Sequence, residues 1–405
     1  NPVRSQLRRH RASRLLMSGP LLLRGITWDH PRGYSPLAAT SRRFEELHPD
    51  VTITWDKRSL KAFEDAPVEA LAAEYDLIVL DHPCIPRVAG SGALLPLDEH
   101  LAPAFLADQA AHSTGRSHAS YAGAGHQWAL AIDAAAPVAF WREDLLARFG
   151  ETIPRTWAEV LVLARKGRVE IPAAPINCLM NFYTFCLAAG ETPFSSNEHV
   201  ISVAAGLTAL GRLRELHAQC APATWSRNPI ASHDLVASAD NTTLAYCPLA
   251  YGYSNYARPG FAAHRLTFGD TVLLDGSVLR PTLGGAGLGV SALRPHREAA
   301  IAYAEFVASP VVQRTLYAHA GGQPGHRTAW LDAENNQLTD DYFARTLPVL
   351  DRAYLRPQFA GYLHFQEQGA PVLQGALRGE TVPRDALAQL NRIYRESLLV
   401  VPTAA

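Results

Sequence analysis

Long apolar runs are missing from this 405-residue chain. No stretch approaches the roughly 20 uninterrupted apolar residues of a membrane-spanning helix, so the sequence predicts none. An excess of either charge is missing too: 37 Lys and Arg stand against 38 Asp and Glu, a formal net charge of -1. That balance offers no electrostatic pull towards nucleic acid or an anionic membrane. Cysteine is scarce, with five residues, Cys84, Cys178, Cys186, Cys220 and Cys247. Their odd number and the lack of a C-x-x-C pair exclude a disulfide framework or a cysteine zinc site, leaving small buried hydrophobes as the reading. The sixteen histidines include no H-E-x-x-H or comparable ligand spacing, so neither a metal site nor a cofactor is expected. A G-x-S-x-G elbow, a P-loop and a kinase set are all absent, and with them the common signatures of catalysis.

The N-terminus lacks something as well. Its first sixteen residues carry Arg4, Arg8, Arg9, Arg11 and Arg14, but not the apolar core of about 7–15 residues that a secretory signal needs. Residues 1–20 are therefore expected to be a basic, disordered extension outside the fold.

What is present is a globular composition, 48% apolar and 19% charged, in a chain long enough for two lobes. Leu21–Trp28 reads as a buried strand, followed by a Pro/Gly turn over 29–34 and a helix over 37–47. Val51–Trp55 and Tyr75–Leu80 read as further strands, the second nearly all apolar, with a helix over 67–74 between them. Alternating strands and helices imply a parallel sheet covered on both faces. Ligands of such sheets bind beyond the carboxyl ends of the strands, here Trp28–Tyr34 and Asp81–Pro83. An apolar crossing runs from Gln127 to Trp141 with one carboxylate, Asp133. Thr156 and Glu159 form a capping-box pattern. A strand is expected over 242–246, then a loop carrying Tyr251, Tyr253 and Tyr256. The remainder, after a glycine-rich segment over 283–291, is largely helical.

Each chemical candidate has a bland counterpart. The glycines 284–289 are spaced G-G-x-G-x-G rather than G-x-G-x-x-G, which favours close packing or a hinge over a phosphate cradle. His30 and His82 lie just past strand ends and read equally as hydrogen-bond partners of a polar ligand or as solvated loop residues. Cys247 has no base nearby in sequence and reads as structural. Asp29, Asp81 and Asp133 offer carboxylates for glycoside hydrolysis, although binding a polyhydroxylated ligand uses the same groups without a matched acid and base. The tyrosine-rich loop 246–256, with Trp28, Tyr34 and Tyr183, is the most ligand-like feature, since amphipathic rings suit small polar molecules in a cleft.

From about Leu21 to Leu399 the chain resembles the family 1 extracellular solute-binding proteins of ABC importers, the maltose-binding-protein group. The resemblance lies in His48-Pro-Asp-Val51 followed by a Tyr-Asp-Leu-Ile-Val strand, Arg142-Glu-Asp-Leu145 with Pro154-Arg-Thr-Trp157, Gly284–Ser291 with Arg297–Ala300, and Arg356-Pro357 with Ala376–Gly379. It implies a two-lobe α/β fold of the type II periplasmic-binding-protein kind, closing on its ligand by hinge motion. The implied first lobe is 21–127 with 283–331, and the second 128–282 with 332–405. Implied ligand contacts are Trp28, His30, Arg32, Tyr34, Asp81, His82, Asp133, Tyr183, Tyr251, Tyr253, Gly285 and Arg327. The function so implied is capture of a sugar-like or hydroxylated, even acidic, solute by a monomer that docks on ABC permease subunits, without catalysis and without nucleic acid. An extracytoplasmic location is implied, against a cytoplasmic one suggested by the missing signal. The alternatives are a carbohydrate-active hydrolase using Asp81 and Asp133, and a cytoplasmic ligand sensor of the same fold.

Overall fold

Apolar strands need cover on both faces, and this chain supplies it twice. The structure, a computed structural model, describes residues 20–65 and 67–400; the expected N-terminal extension, Pro20 apart, lies outside them. The strands of the two sheets are β1 (Leu21–Trp28), β2 (Val51–Arg58), β3 (Leu77–Leu80), β4 (Leu130–Ala135), β5 (Pro137–Trp141), β6 (Tyr246–Tyr251), β7 (Thr267–Gly269) and β8 (Gly284–Val290). The helices that frame the site are α1 (Pro31–Leu47), α2 (Pro103–Ala111), α3 (Pro175–Ala188), α4 (Arg297–Ala308), α5 (Tyr342–Arg352), α6 (Tyr362–Arg378) and α7 (Pro383–Ser397).

The first sheet has the order β2-β1-β3-β8-β4. β1 runs parallel to β2 and β3, and β8 is antiparallel to β3 and β4. Leu23, Leu77, Val79, Ile132, Leu288 and Val290 fill one face against α1 and α4 through Leu37, Phe44, Tyr303 and Val307. Ile26, Ile78 and Leu80 fill the other, with Ile85, Leu94 and Tyr121. The second sheet, β6-β5-β7, is antiparallel and carries its own apolar cover from α5. Behind it α3, α6 and α7 pack with Trp157, Leu210 and Leu213 into a large helical core.

A single residue, Ala136, separates β4 in the first sheet from β5 in the second. The lobe boundary expected at 127/128 precedes β4, which packs Leu130 and Ile132 in the first core and pairs with β8. The return crossing enters β8 from Leu283, whose N–H donates to Tyr354 O. A third link runs through Gln323, which donates Nε2–H to Ala134 O while its Oε1 accepts from Ser254 N. Two chain crossings and this hydrogen-bonded link join the two sheets.

Two elements differ from the sequence reading. The first helix begins at Pro31, not at 37, because Pro31 is suited to the first helical position and His30 caps it, its Nδ1 accepting from Arg32 N at 3.0 Å. The strand expected over 242–246 lies at Tyr246–Tyr251 and takes in Pro248. Proline is tolerated there because β6 is an edge strand and its register shifts between Val138 and Phe140. The capping box at Thr156 and Glu159 forms with both of its hydrogen bonds, and all five cysteines are free.

The glycine-rich segment forms the strand β8. Gly285 has φ +123°, and a Cβ there would sit 2.3 Å from Asp133 O. At Gly287 a Cβ would meet the Tyr121 ring at 2.6 Å. These glycines let β8 press against the crossing. Gly285→Ala is expected to cost about 2–4 kcal/mol through backbone strain and overpacking, read as a lowered urea midpoint. An unchanged midpoint would show that β8 has room to move.

Candidate functional site

The carboxyl ends of β1 and β3 open towards the second lobe, and β8, running the opposite way, begins at the same edge. This is why Trp28, Asp81 and Gly284–Ala286 come together in one cavity. Arg32 and Asp133 join them from α1 and β4; Tyr251, Tyr253, Asn177, Met180, Arg356 and Gln366 close the cavity from the second lobe. Its volume is about 80 Å³.

Two buried ion pairs dominate it. Arg32 sits in the first turn of α1, where the helix dipole disfavours a cation, and Asp133 compensates. Arg32 Nε donates to Asp133 Oδ2 at 2.9 Å and Nη2 to Oδ1 at 2.5 Å. The remaining arm donates to Gly252 O at 2.9 Å, just beyond β6. The Tyr253 ring lies 4.6 Å from the guanidinium carbon, within cation–π range. Burial opposes charge on both partners, and Asp133 holds the Arg32 pKa above its ordinary value.

The second pair spans the lobes. Arg356, between α5 and α6, places Nη2 2.9 Å from each oxygen of Asp81, and its Nη1 donates to Gln366 Oε1 at 3.2 Å. Burial works to raise the Asp81 pKa, but Arg356 and His82 outweigh it and hold the carboxyl well below its ordinary range. Gln358 adds a further interlobe bond, Nε2 to Ser120 O at 2.7 Å.

Of the contacts expected from sequence, Trp28, Arg32, Asp81, Asp133, Tyr251, Tyr253 and Gly285 line the cavity. The other five are placed elsewhere. His30 caps α1 and packs its ring 4.7 Å from that of Tyr253, in a separate depression with Tyr256 and Phe261. His82 is buried behind Asp81, its Nδ1 3.2 Å from Asp81 Oδ1. Both histidines are buried, unlike the solvated loop residues the sequence also offered, and neither lines the cavity. Tyr34 is exposed, its ring 5.2 Å from Lys57 Nζ. Tyr183 is fully buried in the helical core, accepting from Tyr362 OH at 3.4 Å, because α3 turns that face inward. Arg327 lies at the surface in a two-armed pair with Asp351.

Sequence reasoning missed Arg356, Asn177, Met180 and Gln366. Asn177 is the telling omission: it is buried at the start of α3, and its Oδ1 has no hydrogen-bond partner among the described residues. No local pattern marks these residues. They reach the cavity only because α3 and α6 pack side by side across from Asp81.

Chemically, the arrangement presents matched charges, aromatic faces and an open amide acceptor, without a free nucleophile. Cys247 is buried in β6, and burial pushes its thiol well above the ordinary range.

Residues 27–188 match the family of bacterial extracellular solute-binding proteins. The maltose-bound MalE3 of T. maritima superposes with a TM-score of 0.78 at 17% identity, over 93% of this chain and 99% of that one. This is the fold of a solute-binding protein. The solute-binding protein of Agrobacterium radiobacter K84 in complex with ribitol gives 0.79 at 14% identity, over 93% and 99%. The GacH receptor of Streptomyces glaucescens, solved unliganded and with acarbose, gives 0.75 at 18% identity, over 94% and 98%. The resemblance read in the sequence is borne out, and with it the two-lobe α/β fold. The family and these solute-binding neighbours are binding proteins rather than enzymes.

Proposed function

We propose that this chain is the solute-binding component of an ABC-type importer and that its cleft takes a small, neutral, hydroxyl-rich solute. The observation that carries this reading is the charge balance of the cleft: two buried guanidinium groups, Arg32 and Arg356, are each already held by a carboxylate. An acidic solute has no unmatched cation to meet. His30 and His82 are neutral, since burial and neighbouring arginines lower the His30 pKa to about 3 and the His82 pKa to about 4. Hydroxyl groups, by contrast, both donate and accept, so they can satisfy carboxylate lone pairs, guanidinium N–H groups and Asn177 Oδ1 together, while Trp28, Tyr251 and Tyr253 offer ring faces.

Size narrows the class. A water occupies about 10–15 Å³ of such cavity space, so about 80 Å³ suits one monosaccharide or polyol rather than an oligosaccharide. The neighbours that were solved with maltose, ribitol and acarbose support the sugar-like reading. The same pairs argue against a hydrolase. A general acid needs a raised pKa and a proton to give; Asp81 is held low, and Asp133, although burial raises its pKa, has both oxygens engaged as acceptors from Arg32. The family also favours an extracytoplasmic site of action over a cytoplasmic sensor.

Calorimetric titration with hexoses and pentitols against their carboxylated analogues tests this. Neutral solutes are expected to bind at least about tenfold tighter, a difference of about 1.4 kcal/mol; binding of acids alone would overturn the reading. Arg356→Met addresses closure. In the open form water solvates Asp81, so the cost falls on the closed form. Affinity is expected to drop by about 2 kcal/mol or more, with a larger radius of gyration in solution scattering. Unchanged affinity would remove the Asp81–Arg356 pair from the closing mechanism.

A further inference from the structure

Between Asp81 and Asp133 in the sequence, but outside the cavity, α2 ends in a geometry that residue spacing does not reveal. Asp108 and His112 are four residues apart, so they share one face of the last turn. His326 comes from the segment that follows Gln323 and is pinned against that turn by backbone. Thr114 N donates to Gly325 O at 3.0 Å and Arg327 N to His112 O at 2.6 Å, with a β-bridge between Ser113 and His326. One ligating atom from each of the three side chains falls within 4.8 Å of the others. Asp108 Oδ1 is 2.8 Å from His112 Nδ1, Asp108 Oδ2 is 3.4 Å from His326 Nε2, and the two imidazoles stack at 5.3 Å.

We propose that Asp108, His112 and His326 form a site for a divalent transition-metal ion, zinc above all, with water completing a four-coordinate shell. Zinc–ligand bonds of about 2.0–2.2 Å place tetrahedral ligand atoms about 3.3 Å apart, close to the two separations between Asp108 and the histidines. Two imidazole nitrogens and a carboxylate, with no thiolate, match zinc better than magnesium or calcium, which take all-oxygen shells. The outer contacts suit the role. His326 Nδ1 lies 2.8 Å from Thr328 Oγ1 and 3.4 Å from Thr328 N, which it accepts from when unprotonated. Metal binding would select the tautomer with the proton on Nδ1, which donates to the hydroxyl and frees Nε2 as a ligand. The site also sits at a helix C-terminus, where unpaired carbonyls favour a cation. His326 is buried and fixed, whereas Asp108 and His112 are partly exposed, which gives the ion an entry path. A bound ion would cross-link α2 to the segment that leads into the third interlobe link.

The untagged full chain, stripped with chelator, is titrated with zinc chloride by calorimetry and followed by thermal unfolding. One equivalent is expected to bind and raise the melting temperature, and cobalt(II) to give the visible absorption of a four-coordinate ion. Asp108→Asn and His112→Gln are surface changes that leave folding intact, and each is expected to weaken binding by about a hundredfold or more. His100→Gln, at an exposed histidine outside the cluster, is expected to leave it unchanged. Failure to take up one equivalent overturns the proposal. So does uptake that persists in both cluster variants, which would place the ion elsewhere. Neither result bears on solute binding in the cleft.

Discussion

Replacing Arg32 by methionine is expected to destabilise the protein by about 3–5 kcal/mol, because it strands the buried Asp133 carboxylate without its counter-charge. The Asp133 side chain is fully buried, and both of its oxygens accept from Arg32. A buried pair is a weak source of stability when compared with apolar residues of the same shape, but breaking one side of it is costly. Gly252 O also loses its donor, adding about 1 kcal/mol. Asp133→Asn in the Arg32→Met background removes the stranded charge, so the double variant is expected to recover part of the loss. Denaturant unfolding of the three variants forms the cycle. If the single and double variants are equally destabilised, the stranded carboxylate is not the cause. Binding should suffer as well, since Arg32 joins α1, the β4 crossing and the second lobe at one point.

A second large effect is expected from acid. Four histidines are held neutral in the fold. Burial is the main cause for each: it lowers the pKa of His30 and His233 to about 3 and of His82 and His217 to about 4. In the unfolded chain they titrate near 6.5, so below that pH the unfolded state binds more protons. Their contribution to stability is therefore complete above about pH 6.5 and is lost as pH falls towards 4 and then 3. Each adds a slope approaching about 1.4 kcal/mol per pH unit in that window. Even half of the summed effect is a large share of the roughly 5–15 kcal/mol that holds a protein folded. The melting temperature is expected to be flat above pH 7 and to fall steeply between 6 and about 4.5. The Asp81–Arg356 pair does not contribute in that window. A depressed carboxyl pKa keeps its contribution present above about pH 3.9 and loses it only in stronger acid. His217 provides the control. Neither of its ring nitrogens has a hydrogen-bond partner among the described residues, and it stacks on Trp225 at 4.7 Å. His217→Leu should flatten the profile by its share; an unchanged slope would trace the acid sensitivity to other groups.

The reach of the sequence differed between backbone and site. β1, β3 and the largely helical run after the glycine-rich segment were legible because they rest on local periodicity, caps and turn residues. The start of α1 was not. A Pro/Gly-rich stretch reads as a turn until His30 is seen to cap Pro31. β6 slipped because a proline argues against a strand unless the strand is known to lie at an edge.

Among the cleft residues, those at strand ends were found from sequence, since parallel sheets place their ligands there: Trp28, Arg32 and Asp81, with Asp133 on the crossing. Rings were a poorer guide. Tyr251 and Tyr253 reach the cavity, but Tyr183 lies on an inward face of α3, and an aromatic residue looks the same in a core as in a cleft until packing decides.

The sequence alone, then, determined an α/β chain of two lobes with strand-end residues facing a cleft, because strands, helices and their order are set by contacts between near neighbours. Only the tertiary structure decided which charges meet. The 275 positions between Asp81 and Arg356, the 101 between Arg32 and Asp133, and the 218 between Asp108 and His326 leave no local trace. Whether a cleft attracts an acid, a neutral polyol or a metal ion depends on those pairings, since a buried charge is defined by its partner rather than by its own residue type.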